Sequence, residues 1–561
     1  MNWVKQAKDN IRQAVLVALA GAFAEGVIPP IEPPAFSIDK PKDKAHGDFA
    51  VNLAMIMSKQ AAMRPRMIAE AIVAKLDSGL GWLEKAEIAG PGFINFFLAR
   101  DFFHPVLESV QDEDQNYGRS AFGGGRRILI EFVSANPTGL LHMGNGRGAA
   151  LGDSLANVMS AAGYRVSREF YINDSGNQVE KFGESVEARY FELLGEDTSF
   201  PEDGYHGEDI IDTARRIIER DADKWINADS AARRAYMIEA GLREKLAFIR
   251  KSLEDFGVVF DVWYSEKSLH ESGKVIETVD ILRRKGLVYD KDGAVWLDTS
   301  AIGDDKDEVL IRSNGYPTYF AADIAYHRDK FARGFDTAIN LWGADHHGHV
   351  ARMKAAVELF GYDPGALEVL LFQFVNLKRG GEIIRMSKRV GHYVTLDELL
   401  DEVGKDAARF FFITRSADSQ MDFDLDLAKS QSAENPVYYV QYAHARIHSL
   451  LKMAFAQSGG DSLSREDADV SLLTHETEIE LIREIADLPD EIIQAAIDRE
   501  PHRLTRYAMD LASMFHSFYT ECRCLVDEKP LRQARLLLCD ATRIALRNVL
   551  TIIGVNAPER M

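Results

Sequence analysis

The tightest constraint on this chain lies at residues 128–163, ILIEFVSANPTGLLHMGNGRGAALGDSLANVMSAAG. The run ILIEFV at 128–133 has the length and apolarity of a buried strand. A loop with Pro137 and Gly139 leads into His142, Gly144, Asn145, Gly146, Arg147 and Gly148. Beyond it Leu151, Leu155, Val158, Met159 and Ala162 recur at helical spacing, and Gly163 serves as a C-cap. A second apolar run at 166–172 completes a βαβ unit. Such a unit sets a helix N-terminus, with its free N–H groups and positive dipole end, beside the end of a strand. An anion is the natural ligand there. The glycines do not fit G-x-x-x-x-G-K-[ST], and that pattern occurs nowhere in the chain.

At 561 residues the chain is expected to form more than one domain. Its 46% apolar and 27% charged content is that of an ordinary globular protein. No run of ~18 apolar residues occurs, so neither a membrane-spanning helix nor a membrane partner is expected. The basic, partly apolar start at 1–23 has helical spacing interrupted by polar residues, which suits an amphipathic helix better than a signal peptide. Cys522, Cys524 and Cys539 are too few for a disulfide framework and fit a reducing, cytoplasmic setting. Cys522 and Cys524 lack a second ligand pair, so buried thiols are expected there and no structural zinc. The net charge of −21 opposes non-specific nucleic-acid binding but leaves room for a locally basic contact surface.

In chain order, residues 1–118 read as an α+β module. It has an N-terminal helix, a proline-rich break at Pro29, Pro30, Pro33 and Pro34, helices at 49–59 and 65–76, and strands near 86–88 and 93–98. Lys40, Lys42 and Lys44 make a small basic loop able to meet phosphate. The acidic stretch 111–115 reads as a linker. From 119 to 431 strands alternate with helices, which predicts a doubly wound parallel sheet, with a charged helical insertion at about 180–265. From 432 to 561 the pattern is all helix, at 437–454, 473–488, 489–497, 501–521 and 532–550, as in a bundle.

The segment GGEIIRMSKR at 380–389 follows the last sheet strand. A glycine-flanked loop carrying Lys388 suits a clamp on a phosphate whose negative charge grows in a transition state. Together, HMGN at 142–145 and Met386, Ser387 and Lys388 resemble the HIGH and KMSKS signatures of class I aminoacyl-tRNA synthetases. The wording EFVSANPTGLLHMGNGRG is similar to the arginyl-tRNA synthetases, as are PKDKAHGDFA and IAGPGFINFFL in the first module. NPVYYVQYAHAR and GVNAPERM in the last extend the likeness to the full length. One departure is Asn145, which stands where the family motif has its second histidine.

The resemblance implies an enzyme that activates L-arginine with ATP and Mg2+ and transfers it to the terminal ribose of tRNA(Arg). It implies catalytic roles for His142, Asn145 and Lys388, and ATP contacts from His142, Gly144, Asn145, Met386, Ser387 and Lys388. A guanidinium takes parallel hydrogen bonds from a carboxylate. By resemblance Glu131, Tyr319 and Asp323 line that pocket, and Ser134 and Asn136 hold the amino and carboxylate end. Asp345 and His346, in the cluster ADHHGH at 344–349, are further candidates at a strand end. For RNA, Tyr438, Tyr439, Tyr442, His444 and Arg446 combine flat faces with charge, which unstacked bases need. Met561, Arg503 and Arg506 are additional candidates, and the first module is implied to touch the D-loop corner of the tRNA. A monomer is expected. Two rival readings are a small-molecule nucleotidyltransferase, which leaves the helical C-terminal third unexplained, and a tRNA-binding paralogue with a decayed site. Retained His142 and Lys388 oppose the second. A cysteinyl enzyme of the same class would need cysteines in the catalytic fold, where there are none.

Overall fold

The apolar run at 128–133 supplies the central strand, Arg127–Glu131, of a five-stranded parallel sheet. The computed structural model describes residues 2–77, 79–302, 307–384, 394–457 and 463–561. The strand order is Leu367–Phe372, Thr337–Gly343, Arg127–Glu131, Arg165–Ile172 and Val262–Ser265, every neighbouring pair parallel. The chain winds outward from Arg127–Glu131 to Val262–Ser265. It then returns to lay Thr337–Gly343 against the other edge of the first strand. The order therefore reverses at Arg127–Glu131, which opens a crevice at the carboxyl ends of the strands. This is the doubly wound α/β arrangement that the alternation of elements predicts.

The helix Met143–Ala161 lies against this sheet with nearly every side chain buried. Its glycines make the approach possible. A Cβ built on Gly152 would lie 2.2 Å from Phe132 Cγ, and one on Gly146 would lie 2.9 Å from Leu396. The insertion consists of helices Asn177–Leu194, Glu208–Asp221 and Ser230–Asp255 around a separate core of Phe182, Val186, Tyr190, Ile217 and Met237.

The N-terminal module packs the helix Trp3–Ala24 and two shorter helices on a four-stranded sheet. Phe49–Val51 belongs to that sheet, pairing with 94–96, and the helix predicted from Phe49 starts only at Leu53. The alternating burial of Phe49 and Val51 is a strand signal that the following helical run obscures. The stretch expected to be a linker is the end of a helix, Val106–Glu113, followed by a short turn of 3-10 helix. Its acids meet arginines of the C-terminal bundle: Asp112 pairs with Arg465 at 2.5 Å and Asp114 with Arg547 at 2.6 Å. Lys40 and Lys44 are likewise engaged, with Asp487 and Glu480 of the bundle. Lys40 and Lys44 thus help dock the first module on the last, while Lys42 and Lys44 keep exposed side chains. These partners lie hundreds of residues away in sequence, where local reading cannot find them.

The C-terminal third is a bundle of four long helices, Pro436–Gln457, Glu476–Asp498, His502–Glu521 and Lys529–Ile552. The break expected at Pro489 does not occur, since one helix runs through it. Proline lacks the N–H that would bond the carbonyl four residues earlier, Ile485. That carbonyl accepts instead from the buried Tyr117 hydroxyl at 2.7 Å. A residue of the inter-module connection thereby repairs the helix. Tyr117→Phe leaves a buried carbonyl unsatisfied, and a loss of about 1–3 kcal/mol is expected. In a Pro489→Ala background the restored N–H satisfies Ile485, so the same change should lower the melting temperature much less. Equal losses in both backgrounds would contradict the repair.

Candidate active site

His142 is the N-cap of the helix Met143–Ala161. Its Nδ1 accepts from the backbone N–H groups of Gly144 at 3.1 Å and Asn145 at 3.3 Å. A neutral ring in this arrangement carries its proton on Nε2. A Cβ on Gly144 would lie 3.0 Å from the ring, so any larger residue would press the imidazole out of its place. Asn145 completes the cap, its Oδ1 accepting from His142 N at 3.1 Å. A backbone N–H can only donate, so the facing atom is the oxygen and the Nδ2 end keeps the donors. Asn145 therefore has a structural part that its place in the motif does not reveal.

The loop after the first strand is strained. Val133 has φ +66° and Ser134 φ +40°, and a left-handed β-branched residue is costly. Ser134 is held there by its own side chain. Its Oγ donates to Glu131 Oε1 at 2.9 Å and accepts from Tyr171 N at 3.2 Å. Glu131 is buried, and its Oε2 pairs with Lys330 Nζ at 2.5 Å, itself fully buried. Lys330 also donates to Asn340 Oδ1 at 2.7 Å, which fixes that amide. Asn340 Nδ2 then faces His327 Nε2 at 2.7 Å, and His327 Nδ1 faces the backbone oxygen of Asp323 at 2.8 Å. His327 must therefore accept at Nε2 and donate at Nδ1. Burial, reinforced by Lys330, pushes its pKa well down, in keeping with a neutral ring. A buried chain of polar groups thus runs from Glu131 to Asp323, and its three middle members were not foreseen. Lys330 is seven residues, two helical turns, after Asp323 on the helix Tyr319–Ala332, so the two share a face, but its partners Glu131 and Asn340 come from other strands.

Tyr319 and Asp323 are one turn apart at the start of the helix Tyr319–Ala332, capped by Thr318. The Asp323 carboxylate meets His349 Nε2 at 3.3 Å, and Tyr319 lies half-exposed with its hydroxyl against Gly176. Of the histidine cluster, it is His349 that reaches the acid. Asp345 and His346 are both exposed, 3.7 Å from each other. Asn136 donates to Gln178 Oε1 at 2.7 Å, at the mouth of the insertion. The crevice is acidic. Burial raises the Tyr171 hydroxyl pKa far above its ordinary value, and Glu266, Asp323 and Glu131 add to the shift. Such a field favours a cationic ligand.

Met386, Ser387 and Lys388 lie outside the described residues, but both flanks are placed. Glu382–Ile384 pairs antiparallel with Val375–Arg379. On the far side Thr395 forms an antiparallel bridge with His142, with Leu396 N donating to Leu141 O at 2.8 Å. The described chain thus resumes at Val394–Leu396 against the histidine loop, with Thr395 seven residues after Lys388 in sequence.

On the bundle, Tyr438 and Tyr442 stack at 6.2 Å and 9°. Arg446 lies 4.1 Å over the Tyr519 ring, and His516 lies against Tyr439 and Tyr442. His516 and Tyr519 come from the neighbouring helix and were not foreseen. His444 is turned inward, its Nδ1 bonded to Pro558 O at 2.8 Å and its pKa lowered by burial to about 4. It is thus a structural residue and not an exposed RNA contact. The same bond holds the tail that ends in Met561, which is exposed. Arg503 pairs with Glu491 at 3.1 Å, whereas Arg506 is largely exposed.

Three families match the chain in succession. Residues 7–98 match the arginyl tRNA synthetase N terminal domain, 107–447 the catalytic domain of class I (R) tRNA synthetases, and 440–561 the DALR anticodon binding domain. The chain is 58% identical over 567 residues to the arginine–tRNA ligase of Heliobacterium modesticaldum, with 100% of each chain covered. It is 56% identical over 561 residues to that of Moorella thermoacetica, again with full coverage of both. The arginyl-tRNA synthetase structure of Thermus thermophilus shares the fold, with a TM-score of 0.71 over 97% of this chain and 99% of that one at 23% identity. With relatives this similar over their whole length, the chain belongs to the class I arginyl-tRNA synthetases, the ATP-using ligases that join arginine to tRNA(Arg).

Proposed function

We propose that the crevice beside Arg127–Glu131 carries both half-reactions, with ATP phosphates at the His142 end and the arginine side chain at the Asp323 end. An arginine carboxylate oxygen attacks the α-phosphorus, a P–O bond forms, and the bond to the departing pyrophosphate breaks. The ribose hydroxyl at the tRNA end then attacks the carbonyl carbon, AMP leaves with the bonding pair, and the hydroxyl proton is lost. The protein's task is alignment and charge stabilisation. ATP enters as its Mg2+ complex.

His142 Nε2–H and the Asn145 amide donate to phosphate oxygens in this reading, and Lys388 neutralises charge that grows on the α-phosphate. Gly144 keeps the backbone close to the nucleotide, and Met386 and Ser387 complete the lysine loop's contacts. The observation that supports this division is the bridge between His142 and Thr395, which lies seven residues after Lys388 in sequence. Asp323 and Tyr319 take the guanidinium. Glu131, already paired with Lys330, acts through Ser134, which together with Asn136 meets the amino-acid end. Asp345 and His346 border the site at the end of Thr337–Gly343.

For tRNA, Tyr438, Tyr439, Tyr442 and Arg446 offer a stacking surface that His516 and Tyr519 extend, with Met561 at its edge. The module at 1–118 takes the outer corner of the tRNA, the unit at 119–431 the acceptor end and the unit at 432–561 the anticodon. The enzyme works as a cytoplasmic monomer; among the described residues no helix is long and apolar enough to cross a membrane.

Asp323→Asn removes the charge from the guanidinium site, and the KM for arginine should rise about 10- to 150-fold in aminoacylation, since charge-assisted hydrogen bonds contribute about 1.5–3 kcal/mol. An unchanged KM would reject the pocket. Asn145→Asp keeps the cap acceptor for His142 N but loses the amide donor and adds a negative charge near phosphate. Thermal stability should stay within a few tenths of a kcal/mol of the native enzyme, in line with similar cap strengths of Asn and Asp. Adenylate formation should fall about 100-fold. Equal activity would leave Asn145 a purely structural cap. Tyr442→Ala should weaken tRNA binding by about 1–3 kcal/mol, the scale of one stacked base, without changing the KM for arginine. Unaltered tRNA affinity would remove the aromatic surface from the interface.

A further inference from the structure

A row of buried polar residues crosses the parallel sheet. Asn340 is the register partner of Glu131, and Glu131 is that of Glu169. Their exposures are 0%, 6% and 0%. Side chains aligned in this way on neighbouring strands point to the same face of the sheet. The helix Tyr319–Ala332 meets all of them. Lys330 Nζ donates to Glu131 Oε2 at 2.5 Å and to Asn340 Oδ1 at 2.7 Å. His327 Nε2 accepts from Asn340 Nδ2 at 2.7 Å. The Tyr326 hydroxyl donates to Glu169 Oε1 at 2.6 Å, and Arg333, the C-cap, donates to both Glu169 oxygens at 2.5 and 2.9 Å.

Burying such groups costs desolvation energy even when each is paired, and an apolar helix–sheet contact avoids that cost. Apolar contact is non-directional, however, and it admits sliding of the helix along the strands. A row of polar groups with distinct partners admits one register, and fixing register is the best-attested use of buried polar pairs.

The register bears on the pocket because of what else these elements carry. Asp323 lies two turns before Lys330 on the same helix, and its backbone oxygen faces His327 Nδ1 at 2.8 Å. Tyr319 lies one turn earlier still. Glu131 ends its strand, and its other oxygen accepts from Ser134 Oγ at 2.9 Å. The proposed guanidinium end of the site is therefore on the helix, and the proposed amino-acid end is on the loop after the strand.

We infer that this polar row is the ruler that sets which side-chain length the pocket accepts. By fixing the helix along the strands it fixes the span from Ser134 to Asp323, and a guanidinium-bearing amino acid fits when its chain matches that span. Asn340 and Tyr326 are positioning residues for specificity, acting through the helix and not on the substrate. The inference rests on the arginine pocket proposed above.

The experiment compares kcat/KM for L-arginine and L-homoarginine, which is longer by one methylene, in ATP–pyrophosphate exchange with full-length enzyme and tRNA(Arg). A one-methylene mismatch in a fixed pocket is worth about 10- to 200-fold. Asn340→Leu removes both of that residue's bonds to the helix, and the preference for arginine should fall about 10-fold. Tyr326→Phe removes one bond and leaves Glu169 with Arg333, and the preference should fall about threefold. Tyr117→Phe, which deletes a buried hydrogen bond in the bundle, should leave the preference unchanged, because a general loss of stability lowers both substrates alike. An unchanged preference in both Asn340→Leu and Tyr326→Phe, or an equal fall in Tyr117→Phe, would overturn the inference. An unchanged arginine KM in Asp323→Asn would overturn the pocket reading and the ruler with it. If that KM rises, the preference measurement judges the ruler alone.

Discussion

One helix N-terminus organises the catalytic unit. His142 caps the helix Met143–Ala161 with its own ring nitrogen, Asn145 returns the bond to His142 N, and Gly144 lets the ring fold over the first turn. The cap engages Nδ1 as an acceptor, so a neutral ring carries its proton on Nε2. The same turn is pinned from outside by Val394–Leu396, whose backbone bonds to 141–143. The cap, the glycine and the neighbouring segment all constrain one ring at this helix start.

Electrostatics divide the crevice in two. At the helix end the dipole and backbone N–H groups favour anions. Toward Asp323 and Glu266 carboxylates gather around Tyr171, whose hydroxyl pKa is raised first by burial and then by these acids. Lys330 neutralises Glu131 deep in the protein, and the neutral His327 passes a hydrogen bond to the backbone of Asp323. The acidic charge left facing the cleft is then at the place where a guanidinium can be gripped. An ATP–arginine pair laid across the crevice has its charges opposed at both ends.

Much of this was legible in the sequence. The βαβ pattern, its glycines and the His142 turn gave the sheet and its switch point, because strand and helix periods are local. Tyr319 and Asp323 were singled out by resemblance to the family, and their four-residue spacing adds only that they share a helical face. Lys330, Asn340, His327 and His349 were not singled out, since a buried polar chain depends on which distant strands become neighbours. Pro489 misled for the same reason. Proline reads locally as a break, and only Tyr117, 372 residues earlier in the chain, shows why the helix survives. Lys40 and Lys44 read as parts of a phosphate loop, and only the fold shows that they also pair with acids of the bundle. Sequence reports the elements and the local chemistry, while the ion pairs that dock one module on another are properties of the assembled fold.

The central claim is that the helix start holds His142 as an imidazole with its proton on Nε2, ready to donate to phosphate. Nitrogen-15 spectra of the enzyme with labelled histidine, assigned by His142→Gln, test it directly at neutral pH. The account predicts an unprotonated Nδ1 and a protonated Nε2 whose resonance shifts when ATP binds. A protonated Nδ1, or an Nε2 resonance indifferent to ATP, would contradict it.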